Sequence, residues 1–371
     1  LLAGLKKLKS GMQKLGAFIL LLIFPFVLKA EEHPKKEDLD VNEMIMHHVK
    51  DAHEWHLWGP DHGGTSIYLP VLLLDGDLKV FSSKHFYHGQ TKEAKDEKTG
   101  QMHHYFVGSG PAEGYALYHE KIYSLKKQKD LRFEEGNVVE PLKPLDLSLT
   151  KNVVFMLFSC TLLCFIMFKT AAFYKKKKVA APSGLAKFIE PLVLFVRDDI
   201  AKENIHGGKH KKYLPYLLTL FFFILIGNLL GSIPLIGANM TGSATVTLFL
   251  AGCTLLLTLI SSNKNYWKHI FATPGVPVAL LPLMIPIELV GIITKPVSLM
   301  IRLFANITAG HVIILALISI IFINKNVAWA GLSVPMALFI SILELLVAFL
   351  QAYLFTMLSA MFIGAAVEEH H

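Results

Sequence analysis

Cysteine is almost missing from this chain: three in 371 residues, Cys160, Cys164 and Cys253, all inside apolar runs. That excludes a disulfide framework and a cysteine-based zinc site. Glycine, at 26 residues, follows no fixed period, which excludes a collagen-like fibre. Charged residues are scarce at 18%, below the roughly 25% usual in soluble domains, while 53% of the chain is hydrophobic. Such a composition excludes an intrinsically disordered chain and assigns much of the sequence to lipid. The formal net charge of +7 would suit nucleic acid or anionic lipid, so its distribution has to decide.

Acidic residues are absent from 1–30, where five lysines surround the apolar run Gly16 to Leu28. That run is short against the ~20 residues a crossing needs. A basic start, a short apolar core and Ala30 before Glu31 read as a secretory signal peptide cleaved at residue 30. A retained anchor is the alternative. Residues 31–148 invert the charge, with 14 Lys/Arg against 21 Asp/Glu, and hold 11 of the 17 histidines. Val41 to Val49 has helical spacing. Ser66 to Phe81 reads as strands around the turn Asp75-Gly76-Asp77. Gln101 to Val107 and Tyr115 to Leu125 read as further strands. The expectation is a small, mainly-β domain outside the cytoplasm.

Beyond Leu149, apolar runs dominate: Asn152–Phe168, Tyr213–Ile236, Ser243–Ile260, Val276–Ile323 and Val327–Val367. Forty-one helical residues would span ~60 Å, twice a ~30 Å bilayer core. The last two helices are therefore expected to tilt, bend or extend beyond the bilayer. The connection 169–212 carries 11 Lys/Arg against 4 acids, and the positive-inside rule makes it cytoplasmic. Five crossings then leave the C-terminus inside. The basic surplus thus sits in the signal-like segment and one cytoplasmic loop, so it is no argument for nucleic acid. The fold class expected is an all-α polytopic membrane protein of about five crossings, its last two helices a long tilted hairpin. It carries a small mainly-β N-terminal extramembrane domain. The domains are 1–30, a His-rich outer domain over 31–146, and a membrane domain over 147–371.

Ionisable groups inside apolar runs carry the chemistry, because each costs ~2.5–3.5 kcal/mol on insertion scales and faces protein or water. Glu288, Lys295 and Arg302 are spaced by seven, which drifts only ~20° round a helix. They share one stripe if the helix continues through Pro296. Asn306 lies ~40° from Arg302, and His311 roughly opposite it. Folding the last two runs about Asn324–Asn326 brings His311 level with Glu344 and Arg302 level with Gln351. A His/Glu pair on one level and an Arg/Gln pair on the next suggests a proton route ending at a fixed positive charge. Lys295 alone also reads as a snorkelling side chain, and Glu288 as its neutralising partner. The tetralysine 175–178 reads as a lipid-headgroup anchor. His47, His48, His53 and His56 are weak metal candidates; His53 and His56, three apart, would share a face if helical.

The strings Lys295-Pro296-Val297-Ser298-Leu299, Arg302-Leu303-Phe304-Ala305-Asn306 and Ala309-Gly310-His311 resemble subunit a of the F-type ATP synthase membrane sector. The resemblance covers roughly 146–371. It includes Gly227-Asn228-Leu229-Leu230 with Pro234, Gln351 seven after Glu344, and the closing Glu368-Glu369-His370. Some members have an acid where His311 stands and a histidine where Glu344 stands, so the pair is exchanged here. The large insertion within 31–145 departs from compact bacterial relatives.

The resemblance implies a bacterial inner-membrane stator subunit, non-catalytic and without cofactors, lying against a ring of c-subunits. Subunit b of the peripheral stalk and the other synthase subunits are its further partners, with membrane lipid around it. Protons would enter from outside through a half-channel at His311, Glu344 and Gln351, ride on a ring carboxyl, and leave past Glu288. Arg302 would separate the two half-channels and drive deprotonation of the ring carboxyl. At 4 Å and an effective dielectric near 20 its attraction is ~4 kcal/mol. Asn306 and Gln351 would orient it, with Lys295 and Asn228 in support. Two other classes compete. A stand-alone secondary transporter predicts internal repeats, which this sequence lacks; a metal-handling protein predicts tight metal binding by the outer histidines.

Overall fold

The computed structural model describes residues 51–58, 65–126, 130–141, 143–176, 181–233, 240–271, 277, 280–324 and 326–368. The signal-like segment, the Val41–Val49 stretch with His47 and His48, Lys177-Lys178, Pro234 and Glu369-His370 lie outside the described residues.

The N-terminal extramembrane domain is built from antiparallel strands. β1 (Glu54–Trp58) pairs with β2 (Thr65–Tyr68). β3 (Pro70–Asp75) and β4 (Asp77–Ser82) form the hairpin expected at Asp75-Gly76-Asp77, and Gly76 adopts φ +83°, open to glycine at little cost. After a short helix α1 (Lys84–Tyr87) come β5 (Gln90–Lys95), β6 (Met102–Val107), β7 (Tyr115–Tyr118) and β8 (Lys121–Ser124), a four-stranded sheet in sequence order. β9 (Arg132–Glu134) and β10 (Asn137–Glu140) make a separate hairpin. β11 (Leu145–Asp146) closes on the edge of β3. Alternation puts Val71, Leu73 and Phe81 on one face of the β3–β4 hairpin, where they pack with Phe86, Tyr115, Leu117 and Ile122.

Among the described residues, five helices are long and apolar enough to cross a membrane: α2 (Lys151–Lys176), α4 (His210–Gly231), α5 (Ala244–Ser261), α7 (Leu281–Ile323) and α8 (Ala330–Val367). Between α2 and α4 the chain forms α3 (Leu185–Phe195) and a π-helical continuation, Val196–Lys202. α6 (Lys264–Phe271) is short. The expected pairing of a mainly-β extramembrane domain with a five-helix membrane domain holds. α7 stays continuous through Pro286 and Pro296, and α8 through Pro335. At 43 and 38 residues, both are roughly twice the ~20 that a perpendicular crossing needs.

One sequence expectation is extended and one corrected. The connection 169–212, read from its charges as a basic cytoplasmic loop, also buries Val196, Ile200, Ala201 and Ile205 in the bundle core beside Leu217 and Phe221. Its charges occupy the other side of the same turns, where Arg197 and Lys202 both pair with Asp198. His53 and His56 share no helical face: His53 stands at a bend and His56 lies in the strand β1. Strand pairing with Ser66 fixes His56 in extended backbone.

Helix ends leave carbonyls without partners. Those of α8 are met by its neighbours. Lys209 Nζ and Asn263 Nδ2 donate to the Val367 carbonyl at 2.9 and 3.0 Å, and the Asn263 amide donates to Ala366 at 2.9 Å. Gly364 lies against the Asn204 carbonyl with no room for a Cβ. The far end of α8 is thus locked between the α3–α4 and α5–α6 connections.

Candidate functional site

α7 presents two stripes. Leu299, Leu303 and Ile307, four apart, are buried in the bundle core. Arg302 and Asn306 follow on the exposed flank. The opposite side of the helix meets α8. There His311 Nε2 lies 3.5 Å from Glu344 Oε1, with the Glu344 side chain 8% exposed. Gly310 makes that approach possible, since a Cβ at 310 would sit 3.1 Å from the same carboxylate oxygen. Two turns further along α8, Gln351 is buried and its Nε2 donates to the main-chain carbonyl of Arg302 at 2.8 Å. The hairpin therefore brings together both pairs of the sequence reading, at the levels expected. The second contact differs in kind: Gln351 holds the backbone at Arg302, not the guanidinium.

A cavity of about 190 Å³ opens beside Glu344. Its polar lining is Asn228, Ser232, Asn306 and Glu344; the rest is apolar, including Ile313 and Ile340. Asn228 is 3% exposed, and its Oδ1 accepts from Thr241 Oγ1 at 2.6 Å. Its Nδ2 is buried without a partner, as is Glu344 Oε1 in hydrogen-bonding terms. Buried polar atoms left so are costly, and both belong to residues that line this cavity.

A second cavity, of about 310 Å³, is lined by Glu288, Lys295, Tyr266, His269 and Glu368. No ion pair joins Glu288 to Lys295 among the described residues; instead the Lys295 ammonium lies 5.7 Å from the Phe362 ring centroid. At ~1.5 Å per residue, Arg302 stands ~6 Å along α7 from Asn306 and ~10 Å from Lys295. One helix thus carries a lining residue of each cavity with a guanidinium between them.

Thr241, Ser232, Tyr266 and His269 were not singled out from sequence, and Glu368 only as part of the closing Glu368-Glu369-His370. The cue for Tyr266 and His269 was present in the connection 261–275, whose polar and aromatic residues have no role as a bare linker. No group of three or more His, Cys, Asp or Glu side chains suited to a metal ion occurs among the described residues. Of the weak metal candidates, His53 is engaged by Asp146 at 3.2 Å.

A family model described as ATP synthase A chain matches residues 153–364. A second, described as a domain of unknown function (DUF8433), matches 44–147. The chain is 46% identical over 233 residues to ATP synthase subunit a of Chloroherpeton thalassium, covering 61% of this chain and 69% of that one. With ATP synthase subunit a of Chlorobium phaeobacteroides strain DSM 266 it shares 42% identity over 297 residues, 76% of this chain and 80% of the relative. With ATP synthase subunit a of Myxococcus xanthus it shares 45% over 232 residues, 61% and 75% of the two chains.

Proposed function

The chain belongs to the ATP synthase A chain family, a multi-pass, non-catalytic, proton-translocating subunit, and on that premise we propose how its residues divide the work. The Glu344 cavity is the outer half-channel and the Glu288 cavity the inner one. His311 and Glu344 pass protons between the outer face and a carboxyl on a ring of c-subunits. Arg302 keeps the two half-channels from joining and draws the ring carboxyl into its ionised form. Arginine suits this because it holds its charge at every working pH. Asn306 stands beside Arg302 on the same flank, Gln351 fixes the backbone beneath it, and Asn228 lines the outer half-channel. Glu288, with Lys295, lines the exit.

The observation that carries this reading is the exposed Arg302 on α7 between two polar cavities. A guanidinium facing hydrocarbon costs ~2.5–3.5 kcal/mol or more. That flank therefore needs a protein partner with a counter-charge, and a ring of buried carboxyls supplies one. The orientation follows the positive-inside rule: outer domain in the periplasm of a bacterial inner membrane, 169–212 and the C-terminus in the cytoplasm. Subunit b and the rest of the synthase are the further partners.

The test is Arg302→Lys in the assembled complex. The variant should assemble, keep ATP hydrolysis in the catalytic head, and lose ATP-driven proton pumping. Normal pumping would overturn the role given to Arg302.

A further inference from the structure

The outer domain meets the bundle where α2 begins, and ionisable side chains gather there. Asp51 caps α2, accepting from the Thr150 hydroxyl at 2.8 Å and the Asn152 amide at 2.9 Å. The Lys151 amide donates to the Ala52 carbonyl at 2.9 Å. His53, 2% exposed, has Nε2 3.2 Å from Asp146 Oδ2, and its amide donates to Glu120 Oε2 at 3.4 Å. The Tyr87 hydroxyl donates to the same Glu120 oxygen at 3.1 Å. Lys151 is 7% exposed, within the field of Asp51, Glu54 and Glu120. Four carboxylates thus face one ammonium and one imidazole. Tyr87 on α1 and Tyr68 on β2 also border Glu120 or each other, and the Tyr68 hydroxyl meets His88 Nε2 at 3.0 Å.

Three observations take this seam beyond a weld between two domains. His53 Nδ1 is buried with no hydrogen-bond partner, so the ring keeps one open position for a proton or a water. The β7–β8 turn bends through His119 (φ +46°) and Glu120 (φ +62°), a left-handed pair that hairpins normally fill with Asn-Gly. Side-chain-bearing residues held in that region cluster at functional sites, and here the turn carries Glu120 to His53 and Tyr87. Finally, the seam adjoins the proposed outer half-channel: Trp55, two residues from His53, packs against Phe155 and Met240, and Thr241, next to Met240, donates to Asn228, which lines the Glu344 cavity.

We propose that this seam is the proton-collecting mouth of the outer half-channel. Its carboxylates concentrate protons from the outer face, and His53, Asp146 and Glu120 hand them past the head of α2 toward His311 and Glu344. The proposal rests on the half-channel reading above. Each handover breaks one N–H or O–H bond on the donor and makes one on the acceptor, so the seam returns to its starting state after every proton.

The experiment uses the synthase containing this chain, reconstituted in liposomes. ATP synthesis is driven by a potassium–valinomycin potential while the pH on the outer-domain side is varied. Glu120→Gln and Asp146→Asn keep side-chain shape and remove charge. Rates are taken per assembled complex. Each should cut synthesis about 3–10-fold at outer pH 8, where proton capture limits, and leave it within about 1.5-fold of the wild type at pH 6. Glu97→Gln, a charge loss at the exposed Arg132 pair, should leave the profile unchanged. Profiles that superimpose on the wild type, or a loss equal at every pH, would overturn the proposal. The second outcome marks a structural role. Arg302→Lys run alongside separates the two readings. If it alone abolishes synthesis, only the seam falls; if it sustains synthesis, the half-channel reading itself fails.

Discussion

The side-chain amide of Gln351 donates to the main-chain carbonyl of Arg302 at 2.8 Å, tying α8 to α7 one residue-level beneath the guanidinium. The bond fixes the rotation of α7, and so the direction in which Arg302 leaves the helix. Gln351→Leu removes the donor and should cost about 1 kcal/mol of helix–helix packing. Gln351→Glu should do more harm, since an ionised carboxylate cannot donate and offers Arg302 a competing counter-charge. ATP-driven acidification of inverted vesicles should fall a few-fold in the first and to near background in the second. Equal pumping by all three would remove Gln351 from the coupling machinery.

The His311–Glu344 pair predicts two further results. Gly310→Ala puts a Cβ 3.1 Å from the Glu344 carboxylate oxygen, so the carboxylate must shift away and proton conductance should drop. Gly310→Val should drop it further. Exchanging the pair, His311→Glu with Glu344→His, should restore more conductance than either single change retains. The interaction energy in that double-mutant cycle should fall within about 0.5–3 kcal/mol. A strictly additive cycle would mean that the two side chains work independently.

Much of this site is legible in sequence because a membrane removes alternatives. Charges are rare inside apolar runs, a short polar turn forces an antiparallel hairpin, and equal distances from that turn mean equal depth. Those rules alone bring His311 to Glu344 and Gln351 to Arg302. They stop at atoms: sequence spacing cannot distinguish a bond to a backbone carbonyl from one to a guanidinium. Charge counting also hides the buried side of 185–205. Val196, Ile200 and Ile205 pack in the core, but the lysines on the surrounding turns dominate the composition. The Glu288 cavity was hidden for a different reason. Tyr266, His269 and Glu368 come from a connection and from the end of α8, and nothing in their spacing relates them to Glu288.

Gly364 tests the lock on α8. Its Cα hydrogens face the Asn204 carbonyl, and any Cβ would overlap that oxygen. Gly364→Ala therefore has to push α8 away from the turn that follows Val196–Lys202, at a cost of about 1–3 kcal/mol. The same movement stretches the bonds from Lys209 and Asn263 to Val367. The yield of folded chain in the membrane should fall, and the melting temperature in detergent should drop. Gly252→Ala, where a Cβ meets nothing within 4 Å, should change neither.

The β-rich N-terminal domain carries its own acid threshold. Asp96 is buried, and its carboxylate accepts main-chain N–H groups from Lys98 and Thr99, each at 2.8 Å, and from Gly136 at 2.7 Å. These donors, with those of Thr99 and Gly136 strongest, outweigh burial and hold the carboxyl well below the usual carboxylate range. A depressed folded-state value contributes stability above the unfolded value near ~3.9, and that contribution is lost as pH falls through the folded one. Between pH 5 and 8 the β5–β6 and β9–β10 turns should therefore hold equally well. Asp96→Asn exchanges one acceptor oxygen for an amide that cannot accept, leaving at least one of the three N–H groups unmet. Hydrogen exchange on the full chain in detergent, corrected for intrinsic rates, reads this directly. The amides of Thr99 and Gly136 should be equally protected at pH 5 and 8 in the wild type and should exchange faster in the variant at both. Protection in the variant equal to that of the wild type would mean that the turns are held by their strands alone.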